Sequence, residues 1–540
     1  MEPVSTHQAD RSQTVVEWHR NGGAAVVESL IAHGVDTVFG IPGTHNLEIY
    51  RHLKLRGLRV VTVRHEQGAG YAADGYSQVT GRQGVVLTTS GPAVLNAVAA
   101  AGTAYAESRP VLFLASGLAS GAEGLDSGEL HDTKDAFGAM ACVTKWSRRA
   151  ESTEDISASL ADAFWQLTDG RPRPAFVEIP HDYLAGSWRG EVAQPRERRQ
   201  LPVAPDRIEA AADLLIGSQR PGIVVGGGAR GVSSLVRELA ERLNAPVLTT
   251  CNGKGVLPES HPLSLGANIR LESAHTWANT RDALLVIGSE LSDSDLWGGT
   301  ITNSHIIRVD VDPAQLRRNA SPAIGLAARA EEAVPALIDA IGSRRGAARD
   351  SDAAALRGVF ASEADELGLS WRALHAELRA ALPSDVIITG DSSQSTYFGT
   401  VHYFPVDQPN SLLYMPRSAT LGYALPAAIG AQVACPDRAV VAIVGDGAVM
   451  FSVQEFATAV EQGLGVVVLV ANNGGYREIR EQQLSLGIEP VGVDLVQPDF
   501  AALAVALGGY GEVATDAADV ARRAAAAIGR DRPTLISFVC

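Results

Sequence analysis

Short apolar runs, closed by glycine or asparagine, recur along the chain and alternate with stretches in which apolar residues return at helical spacing. The clearest case is Val440-Val441-Ala442-Ile443-Val444, which runs into Gly445-Asp446-Gly447. A second run, Val466-Val467-Val468-Leu469-Val470, leads to Asn472-Asn473-Gly474-Gly475-Tyr476. Between them, Phe456, Ala457 and Val460 give Ser452 to Gln462 a helical pattern. Strand, helix, strand with β-branched runs predicts neighbouring strands of a parallel sheet buried on both faces. Asp446 and Asn473 are then expected at strand carboxyl ends, where open α/β sheets bind ligands.

The same alternation extends upstream. Gly23 to His33, Val94 to Glu107 and Ala424 to Ala434 read as helices. Strands are expected at 36–39, 60–63, 84–88, 110–115, 175–179, 222–225, 283–287, 306–311 and 386–389. Polar, Pro- or Arg-containing segments at 187–206 and 342–357 read as linkers. The expected division is an arm over 1–20, anchored only by Val15-Val16-Glu17-Trp18, and domains over 21–187, 207–341 and 358–540. A chain of 540 residues is too long for one core, so three domains agree with its length. The fold class expected is α/β, with doubly wound parallel sheets.

Charge and composition narrow the function. The chain is 46% apolar and 20% charged with a net charge of −16, which argues against nucleic acid or an anionic membrane as partner. No apolar run reaches membrane length. The four cysteines, Cys142, Cys251, Cys435 and Cys540, lie far apart without metal-ligand spacing, which fits a reducing cytoplasm.

The candidate chemistry follows from residue types. A carboxylate (Asp446) and an amide oxygen (Asn473) suit Mg²⁺, which takes remaining ligands from phosphates, water and carbonyls. Gly445 and Gly447 would let backbone approach a phosphate, and the turn alone is also a common strand-to-helix connection. Glu66, in Arg64-His65-Glu66-Gln67-Gly68-Ala69-Gly70, follows a strand and precedes a helix, where a glutamate also stabilises a helix start. Gly226-Gly227-Gly228-Ala229-Arg230-Gly231 fits a dinucleotide loop, but Val247 to Cys251 lies where the ribose-binding acid is expected. A flavin-dependent oxidase using that loop for FAD therefore stays open as an alternative.

Taken together, Glu66 upstream and the Gly445 to Tyr476 stretch downstream resemble the signature of the thiamine diphosphate enzymes, in their acetolactate synthase-like branch. The resemblance covers nearly the whole chain and implies pyrimidine-binding, middle and diphosphate-binding domains in that order. It implies Mg²⁺ held by Asp446, Asn473 and the Gly475 carbonyl, with Ala448 and Tyr476 beside the cofactor. It makes Glu66 the carboxylate that activates the aminopyrimidine, leading through an ylid and an enamine to loss of CO₂ from a 2-oxo acid. Leu421 matches the apolar wedge beneath the cofactor. Ser90, Pro92 and Asn96 fall where the pyrimidine is met, and Ser392, Ser393 and Gln394 at the diphosphate end. His45 and His131, with Lys134 nearby, are expected to meet substrate. Glu478 stands one residue short of a catalytic glutamate found in simple decarboxylases.

Gly128-Glu129-Leu130-His131, Gly390-Asp391-Ser392-Ser393-Gln394 and Gly487 to Leu495 resemble the 5-guanidino-2-oxopentanoate decarboxylases. Glu129, Asp132, Asp135 and Glu478 are acidic candidates for a guanidinium. The expected function is non-oxidative decarboxylation; the alternative is acetolactate synthase-type joining of two 2-oxo acids. The family places its site between subunits, so a homodimer or homotetramer is expected.

Overall fold

The computed structural model describes residues 19–344 and 351–540. The expected anchor at Val15 to Trp18 lies outside the described residues. Among the described residues three sheets form, and every strand pairing in them is parallel. The first is ordered Arg59–Thr62, Thr37–Gly40, Gly84–Thr88, Val111–Gly117, Ala175–Pro180, Trp146–Arg149. The second runs Ile324–Ala327, Ile306–Asp310, Ala283–Ile287, Pro221–Val225, Val247–Thr249. The third runs Leu412–Leu413, Ile387–Gly390, Val440–Gly445, Val467–Asn472, Thr534–Val539, Tyr510–Ala514. In it Gly445 pairs with Ala471, so Asp446 and Asn473 emerge side by side from adjacent strand ends.

The pattern missed some elements. Strand Trp146–Arg149 and helix Ile156–Thr168 were not expected; the strand is polar at Ser147, Arg148 and Arg149, half-buried throughout and at a sheet edge. The helix expected from Ser452 is confined to Glu455–Glu461. The three-glycine loop enters a 3₁₀ turn, Gly227–Val232, before helix Ser233–Leu243. The second linker also differs, since helix Ala353–Ala381 runs straight through Arg357. Its first half buries Ala353 and Phe360 against the middle sheet, and its second half buries Trp371, Leu374 and Leu378 against the third. It bends at Gly368, where any side chain would strike Phe398. No helix among the described residues is long and apolar enough to cross a membrane.

Helices Glu66–Thr80 and Ala424–Ala434 join the outer domains and are buried around most of their circumference. Gly75 lies on the backbone of Ala427, and Gly430 on that of Ala72, so the two axes approach closely only because both residues lack Cβ. A buried polar node locks in the middle domain. Asn252 receives Arg109 at 2.7 Å and Arg230 at 3.1 Å on its oxygen, and donates to Glu107 at 3.0 Å. Glu107 accepts the Arg417 and Ser418 main-chain N–H groups, and Asp74 accepts the Tyr423 hydroxyl. Burial and the neighbouring Arg109 pull Arg230 down to about 9.

One helix residue carries a pH prediction. His375 is fully buried, with Nδ1 donating to Trp371 O at 2.9 Å and Nε2 2.9 Å from Thr400 Oγ1. Burial lowers its pKa from 6.5 to about 4. Between those values the unfolded chain binds a proton that the folded chain refuses, so this residue makes stability fall as pH drops from 6.5 to 4. The loss amounts to about 2–3 kcal/mol. Urea unfolding at pH 7 and pH 4.5 should show a shallower pH dependence in His375→Gln than in the wild type. Equal slopes would remove His375 as the source.

Candidate functional site

The described site comes in two halves. The downstream half opens at the ends of Val440–Gly445 and Val467–Asn472. Asp446 is 1% exposed, and its Oδ2 accepts the Gly474 N–H at 3.0 Å. Burial pushes its carboxyl up, and the main-chain N–H groups of Gly447, Gly474 and Gly475 pull it back. The inner end of the Asn473 amide lies 3.1 Å from Gly475 O and 3.3 Å from Asp446 Oδ1. With nitrogen inward, the amide donates to both. With oxygen inward, three oxygens converge at about the 3 Å edge of an octahedral Mg²⁺ shell, an arrangement that a cation between them stabilises. The residues present therefore fit a hard cation. Among the described residues no cluster of three or more His, Cys, Asp or Glu forms a metal site of another kind.

Glycine matters most at 475. Its φ is +138°, and a Cβ there would collide with Val493 O. Tyr476 N–H donates to Val493 O at 2.8 Å and Leu495 N–H to Gly474 O at 3.0 Å, so the Gly487 to Leu495 segment braces the loop. At Gly447 a Cβ would meet the Tyr476 ring, so only glycine fits beside it. Asp391, in the same sequence block as Ser392, is structural. Its Oδ1 accepts the Tyr423 and Ala424 N–H groups at 2.7 and 2.8 Å, and burial raises it to about 6.

These residues line one cavity of about 580 Å³. It brings together Ser392, Ser393, Gln394, Leu421, Gly445, Asp446, Gly447, Ala448, Asn473, Gly475, Tyr476 and Glu478. Sequence reasoning missed its aromatic wall, Trp297, Tyr397, Phe398 and Tyr414, because two of these come from segments without a motif. Trp297 even belongs to the middle domain. The only sequence signal was the local density of aromatic residues at Tyr397-Phe398.

The upstream half stands at the first sheet. Glu66 opens helix Glu66–Thr80, is 8% exposed, and accepts Asn96 Nδ2 on Oε2 at 2.9 Å. Pro92 is the first residue of helix Pro92–Ala106, which carries Asn96. The Ser90 hydroxyl lies between two imidazoles, 2.6 Å from His45 Nδ1 and 3.1 Å from His131 Nδ1. His131 holds a φ of +68° and its carbonyl packs on Gly91, where a side chain could not fit. His181, which sequence reasoning missed, stacks on His45 at 4.6 Å. Burial, then His181 and His131, lower the His45 pKa, so this ring stays neutral at pH 7.

Ser90, His131 and Lys134 line a separate cavity of about 360 Å³ whose lining shares no residue with the larger one. The acidic candidates divide likewise. Asp135 borders this second cavity and caps helix Ala136–Ala141, while Glu478 lines the first. Asp132 accepts the Gly128 N–H within its own loop. Glu129 is exposed and lines neither cavity. The three-glycine loop packs on the Gly288-Ser289 backbone, which explains its glycines without a phosphate.

Comparisons with known proteins cover all three domains. Residues 20–139 match the thiamine pyrophosphate enzyme N-terminal TPP binding domain, 208–337 its central domain, and 391–538 its C-terminal TPP binding domain. The chain is 38% identical to a probable 2-ketoarginine decarboxylase, AruI, of Pseudomonas aeruginosa, over 96% of this chain and 93% of the relative. It is 33% identical to an acetolactate synthase of Mycobacterium bovis, over 96% of this chain and 88% of the relative. It is 29% identical to the acetolactate synthase isozyme 3 large subunit of Escherichia coli, over 91% of this chain and 89% of the relative.

Proposed function

Since the chain belongs to the thiamine pyrophosphate enzyme family, we propose that it is a Mg²⁺-dependent decarboxylase of 2-oxo acids whose substrate is 2-ketoarginine, 5-guanidino-2-oxopentanoate. The observation that carries this reading is the convergence of the Asp446 carboxylate, the Gly475 carbonyl and the Asn473 amide beside a cofactor-sized cavity. The choice of acid follows the Pseudomonas relative.

When bound, thiamine diphosphate supplies a nucleophilic carbon and an electron sink for the loss of CO₂. Asp446, Asn473 and the Gly475 carbonyl would hold Mg²⁺, and Ser392, Ser393, Gln394, Gly445, Gly447, Ala448 and Tyr476 would surround the diphosphate end. Leu421 supports the ring system with apolar contact. Glu66, which accepts a hydrogen bond from Asn96, would hold the proton needed at the aminopyrimidine. Ser90 and Pro92 border the pyrimidine. Neutral His45 and its neighbour His131 face the substrate carboxylate and can donate hydrogen bonds to it. Neither Glu66 nor Ser90 nor His131 lines the cavity of Asp446 within one chain, which supports a homodimer, or a homotetramer built from it, in which each site takes one half from each subunit.

A product assay tests the reaction type. Purified protein with thiamine diphosphate and Mg²⁺ should convert 2-ketoarginine to CO₂ and 4-guanidinobutanal. A joined 2-hydroxy-3-oxo acid would instead establish the carboligase that the acetolactate synthase relatives favour. A yellow, oxygen-consuming preparation would point to the flavin oxidase.

A further inference from the structure

We propose that Trp297, Tyr397 and Phe398, together with the Glu478 carboxylate, form the receptor for the cationic end of the substrate; this rests on the reading of function above. The four residues line the cavity that holds Asp446 and Leu421. Two unusual backbone segments bring the rings there. Trp297 has a φ of +46°, rare for a bulky residue, and Tyr397 and Phe398 lie in a π-helical turn, Ser395–Thr400. Such conformations persist where the surroundings enforce them, and they cluster at ligand sites.

The rings support one another edge to face. Trp297 lies 6.1 Å from Tyr397 and 5.7 Å from Phe398, between ring centroids. Trp297 is nevertheless 39% exposed. It already carries one guanidinium, since Arg270 stands 4.3 Å from its centroid. Tyr397 and Phe398 add ring surface to the same cavity, and such surface attracts a delocalised cation.

Glu478 completes the receptor. It stands in the first turn of helix Arg477–Ser485, directly after Tyr476. Gln394 donates to its Oε2 at 3.0 Å and Gln482 to its Oε1 at 2.9 Å. The nearest arginines on its helix are engaged elsewhere, Arg477 with Glu481 and Arg480 with Asp494. Among the described residues no ion pair involves Glu478. A carboxylate fixed by neutral amides beside an aromatic wall, without a cation of its own, suits a guanidinium arriving from outside. The imidazoles sit in the other half, so a zwitterionic acid would meet opposite chemistries at its two ends.

The test compares 5-guanidino-2-oxopentanoate with its neutral isostere, 5-ureido-2-oxopentanoate. The wild type should prefer the guanidino acid in kcat/KM, and Glu478→Gln should reduce that preference about 10- to 100-fold, mainly through KM. Trp297→Leu should reduce it less. Calorimetric titration with unreactive 5-guanidinopentanoate reads the same contact without turnover and should show binding lost in Glu478→Gln. Equal affinity of wild type and Glu478→Gln for that probe, or an unchanged preference, would overturn the proposal. Absence of aldehyde from the guanidino acid would instead defeat the functional reading, and the titration would still decide the receptor.

Discussion

Glu66→Gln is expected to lower decarboxylation by about 10²- to 10⁴-fold while cofactor affinity falls far less. Glutamine keeps the size and the polarity of the side chain but cannot carry the proton. Its amide can still face Asn96, so the helix start and the buried pocket are retained. Asp446 and Asn473 belong to another sheet and are untouched. Steady-state rates with 2-ketoarginine, paired with calorimetric titration of thiamine diphosphate in Mg²⁺, separate the two effects. Turnover within a few fold of wild type would rule out Glu66 as the proton-handling group.

Asp446→Ala attacks the other half. It removes the carboxylate beside Asn473 and the acceptor of the Gly474 N–H, leaving Asn473 and Gly475 to face each other alone. Cofactor affinity should fall more than about 100-fold, since loss of even an outer-shell partner of a metal ligand costs 10–100-fold. The same variant tests the assembly. If each site takes Glu66 from one subunit and Asp446 from its partner, co-expressing Glu66→Gln with Asp446→Ala yields mixed dimers with one intact site. Activity should then reappear in the mixture although each variant alone is inactive. A mixture as inactive as its components would mean that both residues serve one site within a chain.

Much of this architecture was legible in the chain. The strands flanking Asp446 and Asn473 could be read because parallel strands buried on both faces leave continuous apolar runs. Their ends were marked by glycine and asparagine, so Asp446 and Asn473 could be placed at adjacent strand ends in advance. Edge strand Trp146–Arg149 could not, since half-exposed edges lose that contrast. The last residues of the segment read as a linker are helical from Ala353, which the pattern hid for a related reason. Helix Ala353–Ala381 serves two cores in turn, so its apolar positions do not follow a single stripe.

What the sequence determined alone was local: which residues end strands, which start helices, and which oxygen-bearing side chains follow glycine. Those features depend on backbone conformation and on periodic burial, both written in nearest neighbours. The tertiary structure decided what meets across long separations. It set His181 on His45, brought Trp297 from the middle domain into the cavity of Asp446, and fixed Glu478 between Gln394 and Gln482. It also turned Asp391 into a helix cap and Gly447 into a seat for Tyr476. Such contacts depend on how whole sheets and helices pack, and packing at close range is decided by the shapes of many side chains at once.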